Sequence, residues 1–450
     1  GLATKWLTLA DSALVGRVSG LLLLAIAWVS LTKRLTRSAA SSIPALLIFL
    51  GLHQVQDLSG EWLVGGIEGK VPSWAFGFLA VRFSLDRCWI RAGCLLGLSV
   101  SFHPVVGGWV TLTVVGGWLI NRLPAERFAE KEPRRLLIGI VSSLIFAAPG
   151  LSGAAAALKA NEVPEGLRTE VRDVDHLQAK ANYIQVFGRL THHLDPLEFG
   201  TNSWLWYAFL GIASLTLIKT TPSLSRSDRL WPIIASGTII ALIGLLAAWG
   251  PRPGLEMNGH AIRAKFLKLY PFRYLDLMLP AMVGIQLANA LHQNRWLGGK
   301  TRQLAVAIAI GISVFLTAPK NSAASSSANQ NDWQKACQWI DANTDPKSLY
   351  VTPRESKTFK WHANRAEWIN HKDMPQEAAG IVEWNRRLWA MQAWRQNSIK
   401  DDSAYSKLDM YRLRNLTSAD YLLTYRIGPI ELEPVYENET YRLYRLPESP

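Results

Sequence analysis

The sequence predicts a polytopic α-helical membrane protein of about ten transmembrane helices followed by a small α/β soluble domain. Three observations predict it. First, the 450 residues are 49% hydrophobic, and the apolar residues are gathered into long runs that recur through the first 320 positions. Second, positions 1–320 hold 31 Lys and Arg against 18 Asp and Glu, whereas 321–450 hold 17 of each, so the whole net charge of +13 lies in the apolar part. Third, the basic residues there sit in alternate loops between the apolar runs, as expected when Lys and Arg are retained on the cytoplasmic side.

These observations exclude several classes. A basic nucleic-acid-binding module joined to a neutral enzyme would place the charge elsewhere, so no nucleic-acid partner is expected. Apolar and aromatic content, with 19 Trp and 12 Tyr, excludes a disordered chain. Cys88, Cys94 and Cys337 fit neither a disulfide framework nor a metal-ligand spacing.

The candidate spans are 13–32, 40–56, 72–86, 92–120, 136–157, 203–219, 231–249, 273–292 and 303–318. A span needs about 20 residues. Basic connections lie at 33–37, 87–91, 122–135, 219–229 and 295–302. Both ends of 92–120 carry this mark, which one crossing cannot satisfy. A pair of short helices reversing at His103-Pro104 can, because proline breaks the hydrogen-bond ladder. With that split both termini lie outside. Residues 1–12 then read as the end of an external loop whose preceding helix is missing, so an N-terminally incomplete chain is expected.

Three external loops follow. In 53–70, Asp57, Glu61 and Glu68 stand among glycines, as Gly-Gly-Ile-Glu-Gly-Lys at 65–70. Carboxylates at a membrane surface can serve as a base or hold a divalent cation, or be ordinary loop solvation. Glu68, just ahead of the next helix, is the foremost of the three. In 159–202, Asp173, Asp175 and His176 lie within one turn, and Thr191-His192-His193-Leu194-Asp195 follows. Adjacent histidines lack the i, i+4 spacing of a zinc motif, so capping and hydrogen bonding are the expected roles. The loop 250–273 departs from the charge rule, with Arg252, Arg263, Lys265, Lys268 and Arg273 against Glu256. Such an excess outside implies a held anion, with headgroup snorkelling as the alternative. Arg offers a fork to phosphate and Lys a point charge. Arg273 and Asp276 fall on one helical face at i, i+3.

Residues 319–330 read as a polar linker, and 331–450 as a domain with its own core. Helices are expected from Asp332 to Asn343, over 376–396 and over 402–414. Strands are expected at 348–352, 420–425 and in a hairpin over 435–446. The stretch holding Arg354, Lys360, Trp361, Arg365 and Lys372 is rich in cations and aromatics, which grip sugars and phosphates. The alternative places its tryptophans in the core and pairs Arg365 with an acid.

The layout of many spans, acidic external loops, a late basic external loop and a soluble external tail resembles GT-C-type membrane glycosyltransferases. The tail also resembles a domain of unknown function from uncharacterised bacterial membrane proteins. Thr352-Pro353-Arg354, Phe359-Lys360-Trp361, Arg365-Ala366-Glu367 and Lys372-Asp373-Met374-Pro375-Gln376 carry that second likeness. The first resemblance implies an inner-membrane protein that takes a polyprenyl-phosphate-linked sugar at the outer face, with its C-terminal domain extracytoplasmic. It implies that Arg263, Lys265, Lys268 and Arg273 contact the lipid phosphate. Glu68, then Glu61 and Asp57, would stand where the family places a second acidic, metal-associated motif. The family's first long loop, with its main catalytic acid, has no counterpart here, and the loop 53–70 holds no Asp-X-Asp pair. A transporter or flippase, motivated by the broken helix pair, and a non-catalytic scaffold are the alternatives.

Overall fold

The computed structural model describes residues 2–36, 38–64, 66, 68–122, 132–158, 163–220, 230–293, 323–353, 358–399, 404–424 and 429–449. It divides into two compact units. The first, residues 1–159 and 185–318, is helical. The second joins residues 160–184 to 319–450.

In the helical unit, α1 (Leu9–Thr36), α2 (Ser42–Val55), α3 (Lys70–Leu85), α4 (Trp89–Phe102) and α5 (Pro104–Arg122) are followed by α6 (Glu132–Leu158). The apolar run 92–120 is indeed two helices, parted at His103. There the Val106 N–H donates to His103 Nδ1 at 3.2 Å and makes use of the ring beside the break. Five helices among the described residues are long and apolar enough to cross a membrane: α1, α5, α6, α10 (Leu230–Ala248) and α12 (Arg273–Gln293). Two shorter apolar helices, α2 and α4, accompany them. The last candidate span, 303–318, lies outside the described residues.

Helices in lipid gain nothing by hiding apolar surface from each other, so they associate where small residues allow close contact. The α4–α6 pair shows this. A Cβ on Gly93 would stand 2.0 Å from the Gly139 carbonyl oxygen, and one on Gly97 2.4 Å from that of Ser143. The four-residue spacing sets both glycines on one face of α4. The rest of α6 remains open, with Leu137, Leu144 and Ile145 each more than 60% exposed.

At one end of this unit, Asp86 after α3 takes ion pairs from Arg34 of α1 and Arg82 of α3. Between α6 and α10 lie α7 (Val174–Tyr183), α8 (Thr191–Leu194) and α9 (Thr201–Thr220), and α11 (His260–Leu267) precedes α12.

The second unit holds α13 (Ala323–Asn343), α14 (Phe359–Ala363), α15 (Ala378–Ile399) and α16 (Lys407–Thr417). Its strands are β1 (Leu349–Val351), β2 (Ala366–Glu367), β3 (Tyr421–Thr424), β4 (Tyr436–Glu437) and β5 (Arg442–Arg445), in the order β2-β1-β3-β5-β4. β1 runs parallel to β2 and β3, while β5 is antiparallel to β3 and β4. Alternation along each strand splits the core. Tyr350, Leu423 and Leu443 pack with Trp333, Cys337 and Ile340 of α13. Val351 and Leu422 pack with Trp394 of α15 and Met410 and Leu413 of α16.

Two boundaries differ from expectation. Residues 323–330 continue α13 instead of forming a linker, because Ala-Ala-Ser-Ser-Ser-Ala-Asn-Gln lacks proline and glycine and can extend the helix. Residues 160–184 are not merely a loop of the membrane part. Leu167, Val171, Leu177 and Ala181 share a core with Ala378, Ile381, Val382 and Trp384 of α15.

Candidate functional site

The loop between α2 and α3 is bound to the start of α12 through two acids. Asp276, in the first turn of α12, is fully buried. It accepts the backbone N–H groups of Leu58 at 2.7 Å, Ser59 at 3.1 Å and Glu61 at 2.8 Å. The Ser59 hydroxyl donates to it at 3.1 Å, and the Tyr207 hydroxyl at 2.6 Å. Every one of these partners is neutral, and a carboxylate in the first turn also suits the positive end of the helix. Asp276 therefore shapes the loop.

Glu61 is arranged differently. Its side chain is 1% exposed and meets Arg273 Nε at 2.7 Å, Lys70 Nζ at 3.9 Å and the indole N–H of Trp74 at 3.0 Å. Burial pushes its carboxyl above the usual range, against the pull of Arg273 and Lys70. A charge so placed is stable only with its cations present. Lys70 lies over the Trp62 ring at 3.8 Å and reaches Glu68 at 3.6 Å. Arg273 covers the Tyr270 ring at 3.9 Å. The charges of Arg273 and Lys70 also act on His103, and that of Arg189 acts on Tyr270. Two separate stretches of chain, 61–74 and 270–273, thus meet here.

His193 enters from α8. Its Nδ1 lies 2.6 Å from the Ser59 carbonyl oxygen. A carbonyl only accepts, so Nδ1 carries the proton and Nε2 keeps its lone pair. The ring lies against Gly60, where φ is +69° and a Cβ would stand 2.2 Å from His193 Cε1. Burial, aided by His192, holds the imidazole down to about 4, so it is neutral near pH 7. Nearby Asp57 is raised by burial and by the Asp276 charge, with His53 and His192 acting the other way.

The structure thus brings together Asp57, Glu61, Glu68 and Arg273 among the residues singled out in the sequence. The other cations of 250–273 are placed otherwise. Arg252 forms a fork to Asp195, with Nη2 at 2.6 and 2.7 Å from its two oxygens. Arg263 donates to the Ala247 and Trp249 carbonyls at the end of α10. Lys265 is exposed, while the Lys268 ammonium is buried without a hydrogen-bond partner among the described residues. Burial lowers the Lys268 pKa.

In the second unit, Arg365 is buried and caps α13. It meets Asp341 Oδ1 at 3.0 Å and the carbonyls of Asp341 and Thr344 at 2.8 and 2.7 Å. Lys360 pairs with Asp373 at 3.1 Å and Glu367 at 3.6 Å. Trp361 and Lys372 are exposed, and Arg354 lies outside the described residues. Among the described residues no group of three or more His, Cys, Asp or Glu could hold a metal ion.

Lys70, Tyr207 and Ser59 were not legible as partners of this site, whereas hydrogen bonding by His193 was expected from the sequence. Lys70 left one signal, a lone cation in a loop otherwise marked by acids.

Residues 331–391, from α13 into α15, match the model of a family described as a domain of unknown function (DUF6798). No curated protein sequence matches the chain.

Proposed function

We propose that the chain is a glycosyltransferase-like protein of the bacterial inner membrane, crossing it about ten times, that uses a polyprenyl-phosphate-linked sugar at the outer face. The C-terminal domain is read as extracytoplasmic. One observation carries this reading: Lys70 and Arg273 converge on a single buried acid, Glu61. Glu61 answers one of the two positive charges. The other is met by Glu68, whose side chain is 55% exposed. The phosphodiester of a lipid-linked sugar is a monoanion and can take the place of Glu68 at Lys70. Arg adds a planar fork and Lys a point charge for such an oxygen cluster.

Lys265 and Lys268 are further contacts for the phosphate, since neither is paired within the described residues. Of the two carboxylates at Lys70, Glu68 is the one a ligand entering from water meets first. Glu61 is committed to Arg273.

Binding of polyprenyl-phosphate glucose to the purified full chain in nanodiscs tests the reading. Loss of binding in Lys70→Ala supports it, and unchanged binding in Lys70→Ala and in Lys265→Ala/Lys268→Ala rejects it. The split of α4 and α5 at His103 favours a transporter as the second reading, because interrupted helices build transport sites. Movement of the lipid between leaflets without sugar transfer would select it.

A further inference from the structure

We infer that His193 is the proton acceptor for a hydroxyl-bearing second substrate at the outer-face site: its Nδ1–H is spent on the Ser59 carbonyl, and its Nε2 offers a lone pair beside the Asp57–Glu61 loop. The inference rests on the reading of that site as a place of sugar transfer, and it adds the class of the acceptor, an alcohol.

The geometry comes first. The contact to Ser59 fixes both the tautomer and the ring plane, a role that a carbonyl often plays for a working histidine. Ser59 is held in turn by Asp276 through its N–H and hydroxyl. The ring approaches so closely only because position 60 is glycine. Among the described residues Nε2 has no hydrogen-bond partner. The charged and titratable groups acting on the ring are His192, Arg273 and Asp276. Arg273 ties it electrostatically to the cluster that would hold the phosphate. Burial, aided by His192 and the Arg273 charge and opposed by Asp276, keeps it neutral, so it is ready to accept a proton.

Other groups are less suited. Glu61 is bound to Arg273 and Trp74, and Glu68 faces the Lys70 ammonium. A neutral imidazole lone pair repels a phosphate oxygen but accepts from an O–H, which is why the ligand at this edge is an alcohol.

In the step, the acceptor hydroxyl hydrogen-bonds to Nε2. Its oxygen forms a bond to the anomeric carbon while the proton passes to Nε2, giving an imidazolium. The bond from that carbon to the phosphate oxygen breaks, and its electron pair leaves with the polyprenyl phosphate. The added negative charge falls on the group facing Lys70 and Arg273. The imidazolium then returns its proton to water.

The test is labelling of the full chain in nanodiscs with diethyl pyrocarbonate, which acylates only unprotonated imidazole, read residue by residue by mass spectrometry. At about pH 5.5 an ordinary histidine is mostly protonated and labels slowly, whereas His193 labels as fast as at neutral pH. Polyprenyl-phosphate glucose, whose sugar hydroxyls reach the same edge, protects His193 several-fold in the wild type and not in Lys70→Ala. His193→Asn places an amide N–H where Nδ1–H stands and keeps the Ser59 contact. It binds the lipid normally and loses transfer to a soluble alcohol acceptor, with at least a hundred-fold drop expected for a general base.

If His193 stays unlabelled, or the lipid binds through Lys70 without protecting it, the inference falls while the reading of the site stands. If the lipid does not bind at all, both fall.

Discussion

Two basic, aromatic regions of this molecule look alike in sequence and differ in what their cations do. In the second unit Arg365 turns inward, and its guanidinium is filled by Asp341 and the carbonyls that end α13. At the Glu61 cluster Lys70 and Arg273 share one buried acid, and the charge left over meets only a half-exposed Glu68. The difference lies in the balance of charge. A cation whose partners are complete builds structure, whereas one whose partner is a loosely held surface carboxylate can exchange it for a ligand.

Substitutions can break this comparison, and the largest effect is expected where the partners are complete. Arg365→Ala leaves several carbonyls at the end of α13 without donors and should destabilise the second unit by about 3 kcal/mol, read by thermal unfolding, with no change in lipid binding. Asp276→Asn removes the charge that gathers the Leu58, Ser59 and Glu61 N–H groups. It should cost about 2 kcal/mol and expose the 57–61 loop to proteolysis. Gly60→Ala imposes a side chain at φ +69° and against the His193 ring. A loss of about 1.5 kcal/mol is expected, together with loss of His193 protection in the labelling experiment. Trp361→Ala touches an exposed ring and should change stability by less than about 0.5 kcal/mol, so a large loss would move Trp361 into the built part of the domain.

The helical character of the apolar runs was legible in the sequence, because such runs are continuous signals. The break at His103 followed from charge parity, and the small α/β domain from alternating strands at 348–352 and 420–425. Strand β2 was not legible, since two residues at 366–367 carry no pattern. Nor was the membership of 160–184 in the second unit, which depends on a core shared with α15 across some two hundred positions.

The site was half legible. Glu61, Glu68, Asp57 and Arg273 were found as charges in loops between apolar runs. Their arrangement was not, because Asp276 reaches 215 to 218 positions back to take the N–H groups that set it. The basic excess over 250–273 also mixed two kinds of residue. Arg252 and Arg263 serve Asp195 and the end of α10, and only contacts could separate them from Lys265 and Lys268.

The central claim is that Lys70 and Arg273 form an anion site completed by a ligand phosphate. Equilibrium binding of polyprenyl-phosphate glucose to the full chain in nanodiscs, compared between wild type, Lys70→Ala and Glu68→Gln, tests it most directly. The account predicts at least about tenfold weaker binding in Lys70→Ala, equal to about 1.4 kcal/mol, and tighter binding in Glu68→Gln because the competing carboxylate is gone. Equal affinity in all three would contradict it.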